Sequence, residues 1–231
     1  KIIPDHYESV KPKLLIKEGD QIKIGDKLFF DKNNPSIFFC SHVSGKIISI
    51  KLGDRRKVEE IEISCENNDA VVTKPEINIS TSTADEIKNI LLETGLWPTI
   101  RQRPFSKIAN PSTNPKSIFV TAMPTAPFSL DLNYILKDDN SFIQMGFDIM
   151  NKLTSGNVNL VLERDKNYDI FSNLDSVDIH YFSGPHPSGN TGIHIHHIDP
   201  IANRDDIYLD EFNSFLDLYI EYLEKNKLSI E

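Results

Sequence analysis

Four of the chain's seven histidines, His186, His194, His196 and His197, fall between Phe182 and Pro200, with three glycines and three prolines. Imidazole is a common zinc ligand and the side chain best suited to moving protons near neutral pH. Ile193 to Ile198 alternates and reads as a strand with His194 and His196 on one face. With His186 and Asp199 near by, those histidines could supply three nitrogens and one oxygen to a zinc-dependent hydrolase. The competing reading is packing, with the ring nitrogens satisfied by turn carbonyls of the preceding loop. Ser183 and Ser188 flank His186, but sequence neighbours seldom present a base to a nucleophile, and no G-x-S-x-G elbow exists. Acidic residues fall mainly on helix faces and turns, so no catalytic residue is assigned.

A second set of candidates is cationic. Arg101, Arg103 and Lys107 gather around Pro98 and Pro104 in an otherwise acidic chain. Guanidinium groups so placed suit a phosphate, a carboxylate or an acidic partner surface. Pairing with the chain's own carboxylates is the other reading. A third candidate is Lys32, which with Asp31 sits roughly where lipoyl domains carry their modified lysine on a hairpin tip. Only three residues separate it from Leu28, so a solvated turn lysine is the plainer reading and a lipoyl- or biotinyl-like carrier module the alternative.

The 231 residues suffice for two modest domains with proper cores. A formal charge of −9 argues against nucleic acid and against a polybasic membrane patch. No apolar run is long enough to span a bilayer, and Lys1 begins no signal-like sequence, so any membrane role is expected to come through a partner. Cys40 and Cys65 make no disulfide framework and are read as reduced and buried.

From Leu14 to Ile63 short apolar bursts alternate with turn signals such as Gly19-Asp20, Gly25-Asp26 and Asn33-Asn34-Pro35, which predicts short strands and tight turns. The pattern resembles the barrel-sandwich hybrid of lipoyl and biotinyl domains. Asn78 to Thr83 reads as a linker. The helix after it has Thr83 and Glu86 as a capping box, Ile87, Ile90 and Leu91 as its stripe, and Gly95 at its end. Strands at Ile118–Met123, Val158–Leu162 and Val177–Phe182, and a helix from Phe142 to Leu153 with Ser141 and Gln144 at its start, predict an α/β layer. No G-x-G-x-x-G fingerprint opens a helix there. Ile207 to Lys225 reads as an amphipathic helix with Leu209, Phe212, Leu216, Tyr219 and Leu223 on one stripe and Asp206 as its cap. The expected fold class is α/β plus β. It comprises a β domain over 1–75, a linker, helix and arginine-rich loop over 76–112, an α/β domain over 113–200, and a C-terminal helix over 201–231.

Three stretches occurring in order carry a family resemblance. Ser183-Gly184-Pro185-His186-Pro187-Ser188-Gly189, followed by His194-Ile195-His196 and Asp199-Pro200, resembles the alpha subunit of the bacterial sodium-translocating NADH:quinone oxidoreductases. Lys17-Glu18-Gly19-Asp20 through Asp31-Lys32-Asn33-Asn34-Pro35, and Gly95-Leu96-Trp97 through Arg101-Gln102-Arg103-Pro104-Phe105-Ser106-Lys107, are similar to the same family. The resemblance implies a peripheral protein on the cytoplasmic face of the bacterial inner membrane, bound to membrane-embedded subunits of a complex that uses NADH, flavins, iron-sulfur and quinone. It also implies a degenerate relative of flavin-bearing subunits, because the arginine-rich segment stands where those carry a glycine-rich flavin loop and its glycines are missing. No cofactor is then expected to be bound tightly by this chain. Family members continue into a further β domain and a helical end not recognisable here, so the chain reads as apparently shortened. Arg101, Arg103, Lys107, His186 and His194 are the candidates for contact with quinone, an anion or a partner; no metal ligand is carried over.

Overall fold

In the computed structural model, which describes residues 1–65, 70–72, 78–129, 131–136, 140–201 and 207–210, the turn-separated apolar bursts of the N-terminal region form strands. These are β1 (Pro12–Leu14), β2 (Gln21–Ile22), β3 (Lys27–Asp31), β4 (Asn34–Cys40), β5 (Gly45–Leu52) and β6 (Val58–Cys65). They make two antiparallel sheets, ordered β1-β3-β4 and β2-β5-β6. Leu28, Phe29, Ile37 and Phe39 are buried in the first and Ile22, Ile47, Val58, Ile61 and Ile63 in the second. Phe29 and Phe39 stack across β3 and β4 with centroids 4.5 Å apart. At the tip between them Asp31 accepts the backbone N–H groups of Lys11 and Asn33, each at 3.0 Å, which fixes the tight turn and leaves Lys32 exposed. Cys40 is buried as expected, whereas Cys65 is exposed. Cys65 ends β6 opposite Gly45, which has no side chain to cover it.

Helix α1 (Ala84–Thr94) follows its sequence signals closely. Glu86 Oε2 accepts the Thr83 N–H at 2.8 Å while Thr83 Oγ1 accepts the Glu86 N–H at 3.3 Å, a reciprocal capping box. At the other end Gly95 adopts φ +78°, and its N–H and that of Leu96 donate to the carbonyls of Leu92 and Leu91 at 3.4 and 3.0 Å. This is a Schellman stop. An added Cβ at Gly95 would stand 2.9 Å from that of Cys40, so the position requires glycine twice over. Ile87, Leu91 and Leu92 are buried, and each contributes roughly 1.5–3 kcal/mol by leaving water.

The chain divides into two units, one containing Lys1–Ile77 and Asn89–Pro98, the other Asn78–Lys88 and Thr99–Ile220. The second is built on β7 (Ile100–Arg103), β8 (Lys107–Ile108), β9 (Ser117–Ala122), β10 (Val158–Glu163), β11 (Asp178–Phe182) and β12 (Ile207–Asp210), with helices α2 (Leu132–Ile135), α3 (Asn140–Leu153) and α4 (Thr191–Ile198). The sheet order is β11-β10-β9-β12-β7-β8, with β11, β10, β9 and β12 parallel and β7 and β8 antiparallel to their neighbours. Helix α3 packs on β10 and on the turn at Asp169–Phe171. On α4, Ile195 packs with Phe119 of β9, and Ile198 and Ile201 extend this small core.

Three expectations are corrected here. The histidine run is a helix, not a strand. Its alternation also satisfies helical spacing, and Thr191, His194 and Ile195 at that spacing are buried while His196 and His197 are exposed. Gln144 does not cap α3: it lies inside the helix, donates to Asp148 at 2.8 Å, and accepts the Asp175 N–H at 3.0 Å, pinning the loop before β11. Finally, Ile207–Asp210 is strand β12, because hydrogen-bond ladders are open to it on both sides, from β9 and β7. The rest of that expected helix, with its cap Asp206, lies outside the described residues.

Candidate functional site

The strand order reverses at β9: β10 and β11 follow on one side, β12 on the other. In open α/β sheets the carboxyl end of the strands at such a switch point is where ligands bind. Here the loop after β11 and the first turn of α4 close over that end. Ser188 N–H donates to the Pro185 carbonyl at 2.9 Å and Ser188 Oγ to the Gly184 carbonyl at 2.7 Å, folding the proline-glycine segment on itself. Gly189 N–H then donates to Thr125 Oγ1 at 3.1 Å in the loop after β9. A Cβ on Gly189 would stand 2.3 Å from the Met123 carbonyl oxygen, so only glycine lets the two loops approach so closely.

His194 locks this arrangement and is completely buried. Its Nε2 lies 2.8 Å from the Ser188 carbonyl oxygen, which can only accept, so Nε2 carries the proton. Nδ1 of the neutral ring then accepts from Thr121 Oγ1 at 3.2 Å, and Thr121 in turn accepts from Thr191 Oγ1 at 3.1 Å. Burial holds the His194 imidazolium below the usual histidine range, only partly opposed by the Ser188 carbonyl. The Phe182 ring covers it edge-on at 4.8 Å. His186 is exposed on the loop, with Nδ1 3.3 Å from Thr125 Oγ1.

The expected zinc shell is therefore not assembled. Both nitrogens of His194 are in use, and Asp199 at the far end of α4 takes Ser117 Oγ at 2.9 Å and Lys116 Nζ at 2.6 Å. Among the described residues no group of three or more His, Cys, Asp or Glu side chains is placed to hold a metal ion.

The cationic candidates lie elsewhere. Arg103 of β7 is level with Ile207, which is level with Ser117 at the amino end of β9. The His194 anchor, Thr121, is four positions further along that strand, ~13 Å at strand rise. One sheet thus holds His186 and His194 at its carboxyl edge and the β7–β8 hairpin tip at its amino edge. Cross-strand partners share a face, so the pairings Arg101 with Ile108 and Gln102 with Lys107 set Arg101 and Arg103 on one face and Lys107 on the other. Among the described residues none of the three forms an ion pair with the chain's own carboxylates, and Nε of Arg103 is buried without an acceptor.

Sequence reading missed the hydroxyls of Thr121, Thr125 and Thr191, which hold the loop. The available signal was Thr121 itself, a polar residue inside the otherwise apolar run from Ile118 to Met123.

Comparison with known proteins adds two family models. One described as the NqrA N-terminal barrel-sandwich hybrid domain matches residues 1–66, and one described as the NqrA second alpha/beta domain matches residues 82–213. They bear out the expected fold class for both regions. Curated relatives named as NqrA subunits of the Na(+)-translocating NADH-quinone reductase are similar over most of the chain. That of Histophilus somni is 34% identical over 203 residues, 87% of this chain and 45% of the relative. That of Neisseria meningitidis serogroup A is 35% identical over 208 residues, 88% and 46% respectively. That of Yersinia pseudotuberculosis is 33% identical over 205 residues, 87% and 45%. The chain thus spans about half the length of the curated relatives it matches.

Proposed function

The chain belongs to the NqrA family, and on that premise we propose that it works as a peripheral subunit of a sodium-translocating NADH:quinone reductase. It docks on the cytoplasmic side to membrane-embedded subunits and helps to shape access for quinone. NADH oxidation, electron transfer and sodium movement belong to the assembly, whose flavins, iron-sulfur centre and quinone supply the redox chemistry; this chain alone is not the catalyst.

The observation that carries this reading is the occupied switch point. The place where an α/β sheet receives a nucleotide is filled by the chain's own Ser188, Gly189 and His194, tied to Thr121 and Thr125. A redox group held tightly there would have to displace bonds the fold already makes. Among the described residues no helix is long and apolar enough to cross a membrane, so attachment falls to protein contacts. The chain should sediment with native membranes and come off under alkaline or chaotropic washing. Full solubility in the native host, with nothing recovered after mild cross-linking, would overturn the docking.

A second reading rests on Lys32, exposed at the tip of the β3–β4 turn in a domain of lipoyl-like class. Carrier function would require an acyl adduct on that lysine, which intact-mass measurement of native material detects; an unmodified mass removes it.

A further inference from the structure

We propose that the tip of the β7–β8 hairpin is the anchor by which this chain grips its partner, and that it inserts Phe105 into an apolar pocket rimmed by carboxylates on a protein surface. The proposal rests on the docking reading above and names the surface and the chemistry of what it meets.

Phe105 is 76% exposed, at the point where β7 turns into β8. Burying so large an apolar side chain is a principal driving force of association, and a Phe standing clear of the fold gains nothing from the chain itself. Its neighbours are cations placed for a socket. Arg103, with Arg101 behind it, stands on one face of the hairpin and Lys107 on the other, by the strand pairing. They contrast with the chain's other cations. Lys1, Lys51, Lys57, Lys116 and Lys166 each lie within 4 Å of a carboxylate, at Glu60, Glu59, Asp5, Asp199 and Glu163 respectively. Yet in a chain with 34 acidic residues, no described carboxylate is paired with Arg101, Arg103 or Lys107. The unmet Nε of Arg103 adds a buried donor. An aromatic knob flanked by arginine is the composition of an interface hot spot, where a desolvated ring sits at the centre and charged pairs at its border. A lipid surface is the weaker match. The chain carries −9 overall, so an anionic bilayer repels its bulk within a Debye length of ~8 Å, and a single ring with cations split between two faces offers no continuous basic patch.

The test uses the full chain added to native-host membranes that retain the other subunits of the complex but lack this one. Phe105→Ala should weaken retention by about tenfold or more, Phe105→Leu should restore most of it, and Phe128→Ala, at an equally exposed ring in the loop after β9, should leave it unchanged. Circular dichroism of each variant reports that the fold is intact. Retention of Phe105→Ala equal to the unsubstituted chain, or equal losses for Phe105→Ala and Phe128→Ala, would overturn the anchor. So would equally tight binding to protein-free vesicles of phosphatidylethanolamine and phosphatidylglycerol, which would assign the tip to lipid. If the unsubstituted chain is itself not retained, the docking reading fails rather than the choice of surface.

Discussion

His194 Nε2 lies 2.8 Å from the carbonyl oxygen of Ser188, so an imidazole on α4 closes the proline-glycine loop over the carboxyl end of β9. The two residues are six positions apart, and the second half of the clasp, from His194 to Thr121, spans 73 positions. One buried ring thereby joins a strand, a loop and a helix.

Truncating that ring should therefore be expensive. His194→Ala leaves a cavity, an unmet Thr121 hydroxyl and an unmet Ser188 carbonyl, and is expected to cost ~2–4 kcal/mol. Urea unfolding of the two proteins measures the difference, and a change below ~0.5 kcal/mol would mean the clasp contributes little.

The same ring sets a pH dependence. Burial lowers the folded pKa of His194 below its ordinary value of 6.5, so on acidification the unfolded chain takes up the proton first. The sign follows: this contribution is constant above the unfolded pKa, and stability declines as pH falls below about 6.5 toward the folded value, by at most ~1.4 kcal/mol per pH unit. Unfolding free energy measured at a series of pH values should show this slope in the unsubstituted chain and a shallower one in His194→Asn.

Two glycines three positions apart should respond oppositely to alanine. Gly189→Ala drives a methyl group against the Met123 carbonyl and Thr125, and is expected to cost ~1–3 kcal/mol by overpacking. A Cβ at Gly192, in the first turn of α4, meets nothing within 4 Å, so Gly192→Ala should be neutral or stabilise by up to ~1 kcal/mol. Thermal melts of both variants decide the matter.

Charge reversal at the amino edge tests binding separately from folding. Arg101→Glu with Arg103→Glu removes no described ion pair, so stability should hardly change, while retention by the membrane partner should weaken by a few kcal/mol if those charges are buried at the contact. Assembly that is unaltered by the double substitution would assign both arginines to the chain's own surface.

Much of this could be read from the residues because it is local. The caps of α1, its Schellman stop and the N-terminal turns depend on residues within a few positions of one another, so Thr83, Glu86, Gly95 and Asp31 announce themselves. The histidine segment does not. Ile193 to Ile198 satisfies a period of two and a period of 3.6 equally, and the decision lies with Phe119 and Thr121, more than 70 positions away in the chain. Strand β12 was missed for a related reason, since its pairing with β9 and β7 outweighs the helical stripe beginning at Leu209. The five candidate site residues were recognisable one by one. Their partition between opposite edges of a sheet, with Lys107 across the hairpin from the two arginines, required the strand register.

The central claim is that the chain fills its own switch point and acts by holding others. It is tested most directly by releasing the native protein from membranes with alkali, purifying it, and measuring flavin absorbance, bound metal and NADH oxidation per mole of polypeptide. The expected result is a polypeptide with neither flavin nor metal in stoichiometric amount and no turnover until its partners are restored. One flavin or one metal ion per chain, with unaided oxidation of NADH, would contradict it.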